Sequence, residues 1–117
     1  MFRADIVENC YGGTQKNFYL TQGDTATIKS VPKQNGQLVD FSLIEKCVFK
    51  LARDSYKQIF SKELNREETM FSLTLTSDET ALIQPDTYIY EFEYTFIDGG
   101  TNTPNKGMFT IEEQIVE

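Results

Sequence analysis

The stretch Tyr88-Ile89-Tyr90-Glu91-Phe92-Glu93-Tyr94-Thr95-Phe96 decides the fold class. Aromatic side chains fill every even position, and the odd positions are mostly polar. A period of two places all five rings on one face of a β-strand and both glutamates on the other. On a helix the same rings would scatter around the axis. Pro85-Asp86 before the stretch and Asp98-Gly99-Gly100 after it are turn-forming. Five aromatics exposed in a row would promote aggregation. The stripe therefore reads as the core face of a central strand, with the tyrosine hydroxyls reaching the core rim. The competing reading is an open platform that stacks sugars or bases.

Outward from this strand, the remaining sequence supplies short β signals separated by turns. Phe18-Tyr19-Leu20 precedes a Gln22-Gly23-Asp24 turn, and the β-branched Thr25–Val31 follows. Pro32 to Gln37 contains Asn35-Gly36, a hairpin signal. Phe41-Ser42-Leu43-Ile44 reads as an irregular plug at one end of the core. Cys47–Arg53 alternates, and Gln58–Lys62 is its expected hairpin partner across Asp54–Lys57. Ser61 to Thr69 reads as a charged, solvated and mobile run, whereas Met70–Thr76 alternates cleanly. Ser77-Asp78-Glu79-Thr80 predicts one helical turn with Ser77 as N-cap and two acids in the first turn. Leu82 is expected to drop into the core. Asp98 to Gly107 reads as a loop, and Met108–Ile111 begins the last strand.

About seven strands with almost no helix predict an all-β, antiparallel, Ig-like β-sandwich over residues 1–117, with a small open barrel as the runner-up. Residues 1–17 and 112–117 read as flexible or partner-binding ends. Asp86-Thr87-Tyr88, at the start of the aromatic strand, resembles the tyrosine corner of Ig-like folds, in which a phenol anchors a crossing segment. The Cys and Trp core of antibody domains is absent, so "Ig-like" here means topology.

Composition excludes several classes of function. The 117 residues suffice to bury about two thirds of the unfolded chain's surface in one core without a metal or disulfides. Eleven basic against 18 acidic residues give a net charge of −7, and Lys46, Lys50 and Arg53 are too scattered to form a patch. Such a surface repels phosphate backbones and anionic membranes. No apolar run approaches transmembrane length. Charge interrupts Met1–Glu8 before a signal-peptide core can form. Cys10 and Cys47 match neither a CxxC motif nor a metal knuckle, and they read as free thiols in a reducing compartment. Whether they pair is left open.

The candidates for chemistry are few. Glu91 and Glu93 stand roughly 6–7 Å apart along one strand face, near the spacing of glycosidase pairs. On an exposed face, however, both are solvated and ionised, which disfavours an acid–base pair. With no histidine in the chain, neither Ser nor Cys has its usual base, and no motif supports a Ser–Lys dyad. Gly12-Gly13-Thr14 and Gly99-Gly100-Thr101 lack phosphate-loop spacing and read as turns. Asp78-Glu79 with Asp98, or with Glu67-Glu68, lacks calcium-loop spacing. No catalytic, cofactor-binding or metal-binding residue is expected, and no cofactor. The polar N-terminal segment and the final strand with its tail could offer edges for strand addition by another chain.

A spaced pattern runs from Phe18 to Ile111. It comprises Phe18-x-Leu20-x-x-Gly23-Asp24-Thr25-Ala26, Gly36-x-x-Val39-Asp40-Phe41, Val48-Phe49-x-Leu51 and Leu73-x-Leu75-Thr76-Ser77-Asp78-Glu79-Thr80. Tyr88-x-Tyr90 and Gly107-x-Phe109-x-Ile111 complete it. This resembles small β-sandwich structural proteins of tailed bacteriophages and prophages, and is similar to the N-terminal domain family of upper-baseplate proteins. The chain departs from that pattern at Gln84-Pro85-Asp86, where such sequences often place a glycine, and residues 1–117 are expected to form one domain without a second, receptor-binding one. The resemblance implies a non-enzymatic virion component of the tail, baseplate or neck, assembled in the bacterial cytoplasm. Its partners would be other virion structural proteins and further copies of itself, with no nucleic acid or membrane. The alternative is a carbohydrate-binding or adhesive module of a bacterial surface protein.

Overall fold

The computed structural model describes residues 2–8, 11–13, 17–34, 37–38, 40–53, 57–68 and 70–115. The strands of its first half are β1 (Phe2–Glu8), β2 (Tyr11–Gly13), β3 (Phe18–Thr21), β4 (Ala26–Gln34), β5 (Gln37–Leu38) and β6 (Ile44–Ala52). Those of the second half are β7 (Gln58–Glu63), β8 (Asn65–Arg66), β9 (Phe71–Leu75), β10 (Asp86–Phe96) and β11 (Thr101–Glu112). A 3-10 turn, Phe41–Leu43, precedes β6, and the five-residue helix α1 (Ser77–Ala81) lies between β9 and β10.

Two sheets form. One has the order β2-β1-β4-β9-β8, with β5 added to β4; the other has the order β3-β11-β10-β6-β7. The runs β1-β4-β9-β8 and β11-β10-β6 reproduce the ABED and GFC sheets of an immunoglobulin-type sandwich. The fold is thus the expected Ig-like sandwich. Its described strands number more than seven because the N-terminal segment and short edge pieces also pair. The β3–β11 pair is parallel: β3 lies beside β11 where the chain crosses from one sheet to the other.

The core is the inner face of β10 and what it meets. Tyr88, Tyr90, Phe92 and Tyr94 are buried and Phe96 packs partly buried against the cluster. The platform reading of these rings therefore fails. Residues 47, 49 and 51 of β6 point the same way, and Phe49 is the hub. Its ring centroid lies 5.2 Å from Phe92, 5.8 Å from Phe109, 6.3 Å from Tyr90 and 6.4 Å from Phe60. These are offset, tilted or edge-on contacts of the kind aromatic quadrupoles favour. From the opposing sheet come Ile28, Phe71, Leu73 and Leu75. A polar link crosses the interior: Ser30 of β4 shares a short hydrogen bond with the Tyr94 hydroxyl, which also interacts with the Cys47 thiol. Cys47 is a buried free thiol; Cys10 lies outside the described residues.

The tyrosine corner is present. The Tyr88 hydroxyl donates to the backbone carbonyl of Gln84, four residues upstream. The Arg53 guanidinium sits 5.7 Å above the Tyr88 ring.

Several local expectations are revised. Residues 2–8, read as part of a loose end, are a strand paired along its length with β4, from Phe2↔Gln34 to Glu8↔Ile28. The charged run after Ser61 is not all solvent: β7 continues to Glu63, Leu64 is buried, and β8 pairs with β9. Thr69 lies outside the described residues. The Asp98–Gly107 loop shrinks to a turn, where Gly99 at φ 90° takes the left-handed conformation glycine permits. Strand β11 begins at Thr101, and the β10–β11 register slips by one residue between Phe92↔Asn105 and Tyr94↔Asn102. Pro104 lies inside that slip, and a bulge tolerates a residue without a backbone N–H. The N-cap of α1 is Thr76 rather than Ser77, because Glu79 closes a capping box on it. Leu82 does not enter the core; the next residue, Ile83, does.

Candidate interaction surfaces

The two glutamates of the aromatic strand lie on the outer face of their sheet, each bound to a lysine of a different neighbouring strand. Glu93 meets Lys50 of β6 at 3.3 Å, and Glu91 meets Lys106 of β11 at 3.3 Å. All four side chains are partly solvated, so the pairs are weak surface bridges. Each carboxylate is engaged by its own lysine, and the depression lined by Lys50, Gln58, Ile89 and Glu91 does not include Glu93.

The acids weighed for calcium are scattered. Glu79 is spent in the capping box and on Lys62 at 2.7 Å. The Lys62 hydrogen bond, followed by that of the Thr76 backbone, holds its carboxyl below the usual carboxylate range. Asp98 lies beyond the far end of β10, about 30 Å along the strand from the end nearer α1. Its carboxylate accepts the Gly100 N–H at 2.8 Å. Glu67 and Glu68 follow β8, at the end of β9 away from α1. Gly12 and Gly13 belong to β2 and Gly99-Gly100 to the β10–β11 turn, while Thr14 lies outside the described residues.

The free edges follow expectation in part, since β2 of the N-terminal segment is an outer strand. Strand β11 has β10 along one side, and on the other β3 covers Phe109–Glu112 only. In its sheet the outer strands are β3 and β7; in the other sheet they are β2 and β8.

What sequence reading missed is the end of the sandwich around α1. Gln22, in the turn after β3, donates its side-chain amide to the carbonyls of Ala81 (3.0 Å) and Ile83 (3.1 Å). Its backbone N–H donates to Glu112 at 2.8 Å. Thr80 is buried; it donates to the Asp24 carbonyl at 2.7 Å and accepts the Gly23 N–H at 3.1 Å. Gly23 stands at φ 90°, a conformation this turn takes at little cost only with glycine. These bonds staple the α1–β10 connection to the β3–β4 turn. They leave Leu82 projecting, 85% exposed, between two clamped carbonyls. Beside it runs a groove of about 450 Å³ lined by Arg53, Ile59, Phe60, Ile83, Gln84 and Tyr88, among others. Ile59 is 38% exposed, and Ile115, which follows the Gln22–Glu112 bond, is 89% exposed. No periodic motif marks this surface. The only sequence signal is a leucine followed by a second aliphatic, Leu82-Ile83, where the helical turn can bury one of them.

No protein-family model and no curated protein matches the chain. Solved structures do match in shape. CopC from Methylosinus trichosporium OB3b aligns at a TM-score of 0.53 and 14% identity, over 86% of this chain and 88% of that one. The fibronectin(III)-like modules of Clostridium thermocellum CbhA align at 0.55 and 9% identity, over 94% and 99%. A metagenome-derived glycoside hydrolase family 9 endoglucanase aligns at 0.54 and 14% identity, over 93% of this chain but 18% of that one. At these identities the likeness concerns fold alone. The fold is an Ig-like or fibronectin-III-like module.

Proposed function

We propose that the chain is a non-enzymatic packing module of a bacteriophage or prophage virion, a tail, baseplate or neck component that acts through protein–protein contact. The observation that carries this reading is how the polar and aromatic side chains are used. The aromatic stripe is core, Glu79, Glu91 and Glu93 are neutralised by lysines, and Cys47 is sealed inside. What remains open is a set of exposed aliphatics, Leu82, Ile97 and Ile115 among them. Leu82 and Ile59 border one groove, and apolar side chains gathered in one place favour partners over substrates. The spaced resemblance from Phe18 to Ile111 supplies the virion setting. The test is proteomics on particles induced from the encoding bacterium: the protein should be present in fixed ratio to tail proteins. Absence from intact particles would refute the reading.

A second reading is an accessory module attached to a carbohydrate-active or bacterial-surface protein. The structural likeness to the CbhA modules and to part of the endoglucanase favours it. Against a sugar platform, Tyr19 is the only large exposed aromatic among the residues whose side chains are described. Binding on a glycan array, abolished by Tyr19→Ala, would favour this second reading over the first.

A further inference from the structure

Strand β9 has an edge that its neighbour leaves uncovered. On the side away from β4, strand β8 pairs with Phe71 and Ser72, and no described strand continues along Leu73 to Leu75. The carbonyls of Met70 and Thr74 both accept bonds on this side, from the Glu67 N–H at 2.8 Å and from Lys62 Nζ at 2.7 Å. In this stretch the even-numbered residues therefore turn their backbone groups toward the edge. Thr76 follows in the same phase, since its backbone is still extended at φ −78° and ψ 161°. Its N–H donates to Glu79 Oε1 at 2.9 Å, and the same oxygen accepts Lys62 Nζ at 2.7 Å.

The Thr74 carbonyl and the Thr76 N–H are the two groups at which a parallel strand would join. In a parallel ladder, an incoming residue opposite residue i donates to the carbonyl of i−1 and accepts the N–H of i+1. Opposite Leu75, the ammonium of Lys62 stands where the incoming N–H would be, and the carboxylate of Glu79 where the incoming carbonyl would be. The capping box alone would leave the Thr74 carbonyl open. Lys62 reaches it from β7, the outer strand of the facing sheet, where it is half-buried while Ser61 and Glu63 beside it are exposed. A charge turned inward from an edge strand is one of the means by which sheets are kept from pairing with other chains.

We infer that the Lys62–Glu79 pair is an edge seal: it occupies the sites at which β9 would otherwise take on a strand of a second copy. With the pair in place, this edge is closed to strand addition. The inference goes beyond the packing proposal, because it names an association that the fold prevents.

Lys62→Met keeps most of the side chain's length and removes its charge and its donors, whereas Lys62→Arg keeps both. Sedimentation velocity from about 1 µM to about 500 µM, a span that brackets weak complexes, compares them with the wild type. Lys62→Met should associate about 10-fold more tightly or better, as two backbone groups released to a partner strand imply. Lys62→Arg should behave as the wild type does. Lys62→Met is more acidic than a chain already at −7, so charge alone would oppose the gain. Amide exchange locates the contact: in Lys62→Met, exchange at Thr74 and Thr76 should slow as concentration rises, and in the wild type it should not. Lys62→Ala is measured alongside, with thermal unfolding of both in dilute solution, so that a failure of one variant to fold leaves the other to decide. Folded variants that associate no more than the wild type, or concentration-dependent protection confined to residues away from β9, would overturn the inference. Virion incorporation of the wild type, which the particle proteomics reports, is independent of either result.

Discussion

Replacing Tyr88 by phenylalanine removes one oxygen and leaves the rest of the corner intact. The ring stays buried among its neighbours, and Arg53 still sits over its face. What disappears is the hydrogen bond from the phenol to the Gln84 carbonyl. A net contribution of about 0.5–1.5 kcal/mol is typical of such a bond, and up to about 3 kcal/mol where the abandoned partner stays dry. Gln84 is an exposed residue, so its carbonyl can recruit water, which places the cost near 1 kcal/mol. In a domain of this size that is a fall of roughly 3–5 °C in Tm. The same connection is held from its other side by the two Gln22 amide bonds, so the two supports share a load. Tyr88→Phe and Gln22→Ala should therefore couple, their combined cost departing from the sum by about 0.5 kcal/mol or more. Urea unfolding of the wild type, both single variants and the double variant measures all of these, with the m-value held as a check on two-state behaviour. If Tyr88→Phe left the midpoint unmoved, the hydroxyl would not be anchoring the crossing segment, and the tyrosine corner would be a geometric coincidence.

Phe49→Ala should cost about 3–5 kcal/mol, a large share of a typical domain's stability, because four rings lose their common neighbour; chemical denaturation shows it directly. Thr76→Ala, which opens the capping box on Glu79, should cost about 1 kcal/mol in the same assay. Glu91→Gln and Glu93→Gln should each change stability by less than about 1 kcal/mol, and less still at high salt. A larger effect would mean that these bridges are better shielded than their exposure suggests. Alkaline pH should destabilise the fold, with an onset set by Cys47. Burial pushes the Cys47 thiol above its ordinary 9.0 and the Tyr94 phenol above its ordinary 10.0. Both groups thus release protons more readily in the unfolded chain, so stability is complete below about pH 9 and falls as pH rises beyond it. Cys47→Ala should move that onset toward pH 10, as followed by denaturant midpoints across the range.

The fold was legible because its determinants are local and periodic. Residues 88–96 announce a strand by alternation alone, and the same period finds β7 and β9 to within a residue at each end and β6 but for its first three residues. Tyr88 could be assigned a hydrogen-bonding role from its position because the corner is a contact within four residues. Errors arose where a tertiary partner overrides composition. The N-terminal segment carries charge at positions 3, 5 and 8 and reads as a loose end, yet Phe2–Glu8 pairs with β4 along its whole length. Thr101–Lys106 looks like a loop, because Asn and Pro are poor strand formers in isolation. A long strand β10 waiting on one side, and a bulge at Pro104, give it a ladder nonetheless. Pairing of this kind is decided by residues many positions away, which a single-sequence period cannot register.

The candidate site was illegible for a related reason. Core positions repeat, and the spaced pattern from Phe18 to Ile111 consists largely of them: Phe18, Phe49, Leu51, Leu73, Leu75, Tyr88, Tyr90, Phe109 and Ile111 are all buried. Such a pattern can report a fold shared by many unrelated functions. Which of two adjacent aliphatics faces outward follows no such repeat, and at Leu82-Ile83 it is settled by geometry elsewhere. The capping box starts α1 at Thr76, the turn ends one residue short of Leu82, and the Gln22 amide, some sixty positions earlier in the chain, fixes both flanking carbonyls. Thr80 turns inward onto the Asp24 carbonyl and Ile83 enters the core, and between these two anchors Leu82 is left in solvent.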